Sequence, residues 1–288
     1  MKLFDLHSHW GTERGYPLRG PDALAQQKAT WNSQPSYVTE DQMAAYFREH
    51  GARVILDLGF TKSLALEEAR VLHDYAIATQ AKHPDVIHGN WIQIDPRTGR
   101  KGANELDRCI HASKGFISAC VSAAGMGYPA SDAIYDPFYE VCRAHRRPVL
   151  VLVGYTGAGA GLPGGGGIEI DLCHPRFVDK LSVRWPDLDI IAGRPAWPWQ
   201  DEMIAVMLHK PNVVCELHGW SPKYFSESLK HDIPRRLKNR VMFGADYPLF
   251  KYERLVADWR ALGYDDEILD KVFHANAEKY FARFTGTA

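Results

Sequence analysis

The chain has no surplus of positive charge: 34 lysines and arginines stand against 35 acidic residues, for a formal net charge of −1 at pH 7. Without a basic field nothing holds a nucleic acid or an anionic membrane, so such partners are disfavoured. Cysteine is sparse. Cys109, Cys120, Cys142, Cys173 and Cys215 are odd in number, widely spaced and free of any C-x-x-C pair. This argues against a disulfide framework or a structural zinc knot and fits a reducing cytoplasm. Long apolar runs are missing too. The opening MKLFDLHSHW is broken by polar residues, and no segment approaches the roughly 18 uninterrupted apolar residues of a membrane span, so neither export nor membrane insertion is expected. There is no internal repeat, charge run or low-complexity linker, and a single domain over residues 1–288 is the simplest organisation.

What the sequence does contain is a series of short apolar or β-branched runs: KLFDL (2–6), RVILDL (53–58), VIHGNWIQI (86–94), GFISACV (115–121), PVLVLV (148–153), LDIIA (188–192), NVVCEL (212–217) and RVMFG (240–244). Between most of them lie segments of helical character, among them 64–82, 138–145, 177–185 and 200–210. Strand alternating with helix implies parallel pairing, and eight such units in under 300 residues predict an α/β fold, a single (β/α)8 TIM barrel. An open doubly wound sheet is the rival. The stretch GYTGAGAGLPGGGG (154–167) formally matches G-x-G-x-x-G at Gly159, Gly161 and Gly164. Pro163 and four consecutive glycines cannot open the helix that a dinucleotide site requires, so a lid over the barrel mouth or a plain surface loop fits better.

Chemistry-bearing residues cluster at predicted strand ends. In DLHSH (5–9), alternation along an extended strand puts Asp5, His7 and His9 on one face. An H-x-H pair alone is most often two ordinary polar residues. FGADYP (243–248), however, ends the eighth strand, which in a barrel lies beside the first, and brings Asp246 to His7 and His9. Two imidazoles and a carboxylate with open positions suit zinc, manganese or iron. In NVVCELHGW, Glu216 and His218 share a face, which makes an inward His218 a candidate base.

At these residues the sequence resembles the amidohydrolase superfamily, specifically the amidohydrolase-related branch that contains the aminocarboxymuconate-semialdehyde decarboxylase-like enzymes. The likeness is carried by DLHSHWG, SDAIYDPFYEVCRAHRRPVLVLVGYTGAG, CHPRFVDKLSVRWPDLDIIAGRPAWPWQDEM, HKPNVVCELHGWSPKYF, VMFGADYPL and HANAEKYF, nearly the whole chain. The resemblance implies a barrel and a metal centre serving hydrolysis or non-oxidative decarboxylation of small carboxylates or carbonyl compounds. Relatives are often dimers, so a homodimer is an expectation. Two places depart from the family pattern. The family ends its fifth strand with a metal-binding histidine where this chain has Leu152, and follows its sixth with a histidine where this chain has Arg194. His218 stands where relatives usually carry a small hydroxyl residue. His174 lies where relatives also place a histidine, and either touches substrate or caps the next helix.

Arg194 shifts the balance. A guanidinium about 5 Å from a dication, at an effective dielectric near 20, is repelled by roughly 6–7 kcal/mol. It therefore points away, is neutralised by Asp246 or a substrate anion, or replaces the metal as the fixed positive charge, a role its permanently charged fork suits. Two versions of the site follow. In one, His7, His9 and Asp246 hold zinc or manganese; in the other, preferred on the charge argument, metal is weakly held or absent, Arg194 binds the substrate, and His218 or Asp246 moves the proton. His174, Trp197 and Trp220 are candidate substrate contacts, with Trp199 and Tyr224 as further aromatic walls. The expected partner is a small molecule, an anionic carbonyl compound or aromatic acid that is hydrolysed or decarboxylated. A carbon–carbon lyase or cyclase that never uses water, and a non-catalytic binder on an enzyme fold, are the other classes.

Overall fold

A computed structural model describes residues 1–17, 25, 28–30 and 37–284. Among them run β1 (Leu3–His9), β2 (Ala52–Leu58), β3 (Ile87–Ile92), β4 (Phe116–Val121), β5 (Val149–Leu152), β6 (Ile190–Gly193), β7 (Val213–Glu216) and β8 (Val241–Met242). They pair in sequence order and all in parallel. Backbone hydrogen bonds from Leu6 N to Phe243 O (3.0 Å) and from Asp246 N to His7 O (2.9 Å) draw the eighth strand segment against the first and close the ring. The result is the expected barrel, not the open sheet. Each of the eight apolar runs yields a strand, because strands covered on both faces need apolar residues at successive positions. Leu150, Ile191 and Met242 fill the interior with Phe4, Leu6 and Trp91, while Val151, Ile190 and Ala192 face the helical layer.

The helical segments also fall where the patterning puts them, at Leu66–Lys82, Asp136–Ala144, Arg176–Arg184 and Gln200–His209. A further helix, Glu40–Glu49, opens on a capping box in which Thr39 and Gln42 satisfy each other's backbone N–H groups. No described helix is long and apolar enough to cross a membrane. All five cysteines are buried and free, as their spacing predicts.

The glycine stretch opens no α-helix; it forms a tight turn at Pro163–Gly167 with Gly164, Gly165 and Gly166 in left-handed conformations, which removes the dinucleotide reading. At its head, Gly154 has a functional use. A Cβ there would stand 2.6 Å from Ala196 Cα, so only glycine lets the loop after β5 seat against the loop after β6. Tyr155 N then donates to Trp197 O at 2.7 Å and ties the two loops together at the mouth.

Candidate active site at the barrel mouth

The first strand does not alternate strictly. Its register against β2 slips between Asp5 and Ser8, so that Leu6 and His7 stand opposite Ile55 alone. At the slip, the Leu6 carbonyl accepts from the Trp91 indole at 2.6 Å. Leu6 still fills the barrel interior, yet His7 and His9 above it turn into the mouth, their rings 5.1 Å apart and edge to face. Asp5 does not join them, contrary to the alternation argument. Its carboxylate is held in the β1–β8 seam by the N–H groups of His7 (3.1 Å) and Ala245 (2.9 Å) and the hydroxyls of Ser8 (2.5 Å) and Tyr252 (2.8 Å). Four donors use up its acceptor sites, which makes Asp5 a structural anchor.

Asp246 enters from the end of the eighth strand segment with a left-handed backbone, φ 63°, a conformation in which non-glycine residues are uncommon and that clusters at functional sites. Its Oδ1 lies 3.1 Å from His9 Nε2, while the other ring nitrogen of His9 faces Asp57 Oδ2 at 3.8 Å. Burial alone would lower the His9 imidazole, but the hydrogen bond to Asp246 and the charges of Asp246 and Asp57 raise it above the ordinary histidine value. Burial works against the Asp246 carboxylate as well. The His9 bond and the charges of His9, His218 and Arg194 nevertheless hold it at about 2. Asp57, at the end of β2, receives Gln93 Nε2 on both oxygens, at 3.0 and 2.7 Å.

His7 is different. Burial and the neighbouring His218, His9 and Arg194 push it well below the ordinary value, so it is neutral at pH 7. Neither of its ring nitrogens has a hydrogen-bond partner. Its ring lies parallel to that of His218 with centroids 3.7 Å apart. His218 is oriented by Glu216, whose Oε2 accepts the His218 N–H at 3.0 Å and whose Oε1 meets His218 Nδ1 at 2.5 Å. That leaves Nε2 as the nitrogen free for chemistry. Glu216 fits inside the barrel because its neighbours on either side are glycines: a Cβ at Gly193 would stand 2.7 Å from Oε1, and one at Gly244 would stand closer still to Oε2.

Arg194 follows β6 with φ 79° and turns inward, where its charge acts on His7, Asp246, Lys62, Cys120 and Cys173. Its Nη1 is buried with no hydrogen-bond partner, and Asp246 is taken up by His9 instead. Leu152, at the end of β5, packs into the interior and offers no donor atom. Over the β5–β7 side stand Tyr155, Trp197 and Trp220, with the two indoles 5.6 Å apart and Tyr155 edge-on to both. His174 adopts the capping alternative: its Nδ1 accepts the Arg176 N–H at 3.1 Å and its ring lies on Trp199. Tyr224 is 59% exposed, with the Lys223 ammonium over its ring.

Sequence reasoning missed Asp57, Gln93 and Lys62. The first carries a usable signal, since RVILDL ends in a carboxylate just as the first run leads into DLH; the other two carry none. As a metal set, His7, His9 and Asp246 present ligand atoms within 4.8 Å of one another. Both His7 nitrogens and His9 Nδ1 are buried and lack hydrogen-bond partners, which is the condition of donors that fit a divalent cation.

The family model for amidohydrolases matches residues 9–283, and the chain belongs to that family. Solved structures that share its fold include an uncharacterized TIM-barrel protein from Bordetella bronchiseptica, 17% identical with a TM-score of 0.77, the match covering 99% of this chain and 100% of that one. Another is the 5-carboxyvanillate decarboxylase LigW from Sphingomonas paucimobilis, at 16% identity and TM-score 0.69, covering 98% and 99%. A third is a dihydroxybenzoic acid decarboxylase from Polaromonas sp. JS666 with bound manganese and the inhibitor 2-nitroresorcinol, at 18% identity and TM-score 0.69, covering 99% and 98%. A search of curated protein sequences gives no match.

Proposed function

We propose that this amidohydrolase-family chain is an enzyme that decarboxylates a small anionic aromatic or carbonyl acid at the barrel mouth. The observation that carries this reading is Arg194 Nη1, buried without a partner beside the unbonded nitrogens of His7 and His9, with the charges of Arg194 and the Glu216-bound His218 both acting on Asp246. An unpaired buried cation is costly unless a ligand anion completes it, and a guanidinium grips a carboxylate through two parallel hydrogen bonds. The names of LigW and the Polaromonas enzyme support decarboxylation over hydrolysis.

In decarboxylation the bond to the carboxyl carbon breaks, its electron pair stays on the substrate carbon, and a proton must arrive there. Arg194 orients the acid, and Tyr155, Trp197 and Trp220 wall a planar group and exclude water. With Nδ1 tied to Glu216, His218 can hold or release the proton at Nε2; the His9–Asp246 pair is the second place for it, held on the His9 side. His7, His9 and Asp246 would hold a divalent ion, which when bound supplies a Lewis acid for the substrate oxygens.

The test is turnover of a panel of phenolic and β-keto acids in 18O-labelled water, with products read by mass. Loss of carbon dioxide without label supports decarboxylation. Label in the product would make the chain a hydrolase, cleavage without water or carbon dioxide a different lyase, and binding without turnover a ligand-binding protein.

A further inference from the structure

Lys62 has no part in the chemistry above, yet it lies at the same mouth. It sits in the single turn Thr61–Ser63 that follows β2, is half-buried, and donates through its ammonium to the Gly59 carbonyl. Its stem runs across the loop after β4: a Cβ at Gly125 would stand 2.8 Å from Lys62 Cε, so the missing side chain at 125 makes room for the lysine. The nearest carboxylate in the wall, Asp57, is already bound on both oxygens by Gln93. Among the described residues neither Lys62 nor Arg194 forms an ion pair.

Topology places the two cations. Lys62 follows β2 and Arg194 follows β6, and in a ring of eight strands joined in sequence order the second and sixth are opposite one another. Both charges act on Cys120 from the interior side, and each acts on the other, so they converge over the same floor. Burial depresses the lysine, the Asp57 charge partly offsets that, and the Arg194 charge adds to the depression, so a second anionic group would offset it further.

We propose that the mouth is a two-point anion receptor: Arg194 takes one acidic group of the substrate and Lys62 takes a second across the barrel, so the substrate is a dianion. Two carboxylates on a planar framework, or a carboxylate with a phenolate or enolate, have the required chemistry. This rests on the reading of Arg194 given under Proposed function and adds the charge class of the ligand. A lysine that merely caps its own turn would not discriminate between ligands by charge.

The experiment compares isophthalate with benzoate by calorimetry on the wild type, Lys62→Met, Lys62→Gln, Lys62→Arg and Arg194→Met, with thermal melts for each. The wild type should prefer isophthalate by about tenfold or more, the effect of one added charge contact in a partly desolvated site. The preference should collapse toward unity in Lys62→Met and Lys62→Gln and persist in Lys62→Arg. In the wild type itself it should shrink as ionic strength rises, a readout that needs no variant to fold. A wild-type ratio near one, a ratio that ignores salt, or a ratio unchanged in Lys62→Met overturns the proposal. Should Arg194→Met weaken both ligands while the Lys62 variants leave the ratio alone, the second contact falls and the Arg194 reading stands. If Arg194→Met changes neither affinity, or the wild type binds neither acid, both fall.

Discussion

Two buried polar clusters sit one above the other along β1, and they are built on opposite rules. In the seam between β1 and β8, Asp5 is completely hidden and every acceptor site has a donor, two from backbone and two from hydroxyls. Further along the chain, His7 and Asp246 are buried and His9 and Arg194 half-buried, yet both His7 nitrogens, His9 Nδ1 and Arg194 Nη1 have no hydrogen-bond partner. A fold that satisfies the first cluster fully and leaves the second open is not short of donors. The closed network holds the bulge that aims the histidines, and the open one is left for a ligand to complete.

The largest effect expected from breaking that contrast is on stability, in the seam. Asp5→Ala would strand the His7 and Ala245 N–H groups and two hydroxyls in a buried site, and should cost about 3–5 kcal/mol in denaturant unfolding. Asp5→Asn should cost clearly less, because one amide oxygen still accepts from the backbone and the Ser8 and Tyr252 hydroxyls can reverse to accept from the amide nitrogen. Equal losses in the two variants would show that the donor count is not what holds the seam. At the mouth the outcome should invert. Arg194→Met keeps the stem and deletes the fork, so melting should hold or rise while affinity for an anionic acid falls by about 2–4 kcal/mol. Arg194→Lys should recover only part, since a point charge lacks the second hydrogen bond. Unchanged affinity in a folded Met variant would make Arg194 structural.

Much of this contrast was legible in the sequence, though not all. Eight apolar runs give eight strands because burial on both faces writes itself into composition. The approach of Asp246 to His7 and His9 follows from barrel closure, which lays the eighth strand segment beside the first, and the Glu216–His218 face follows from alternation after β7. Asp5 was misplaced because a bulge changes parity without leaving a residue signature: LFDLHSH alternates on paper as well as any regular strand. Glu216 was placed on the right face, but its hold on His218 depends on Gly193 and Gly244, glycines on two other strands whose role appears only when the barrel is closed. Lys62 was invisible as a lone charge in a turn. Between the two uses of His174 the sequence offered no choice, and the Arg176 N–H makes it.

A smaller effect is read by pH at Asp246. Asp246 is held at about 2 in the folded chain against an unfolded value of 3.8, so the unfolded state binds more protons between those limits and stability rises with pH across them. The contribution is about 2 kcal/mol, fully present above pH 4 and lost as pH falls toward 2. Unfolding of the wild type and Asp246→Asn should therefore differ by about that amount at pH 5 and converge near pH 2. A gap that is constant over this range would mean His9 does not hold the carboxylate in its charged form.

The smallest expected signal, and the one that bears most directly on the open cluster, is metal content. His7, His9 and Asp246 supply three ligand atoms, but Leu152 adds none and the Arg194 charge lies in the same mouth, so a divalent ion loses one bond and meets repulsion. Protein purified without chelators should carry well under one equivalent of zinc or manganese, and dialysis should strip it without unfolding the barrel. Near one equivalent, tightly held, would show that Arg194 is neutralised in place and that the three-donor set is sufficient. The sharper form is the double variant Leu152→His with Arg194→His, which adds imidazoles at the ends of β5 and β6 and removes the repelling charge. It should take up more metal than the parent, with each single variant falling between, because added ligation and removed repulsion act on the same ion. A folded double variant with no gain in metal would mean that these two strand ends do not point at the His7–His9–Asp246 cluster.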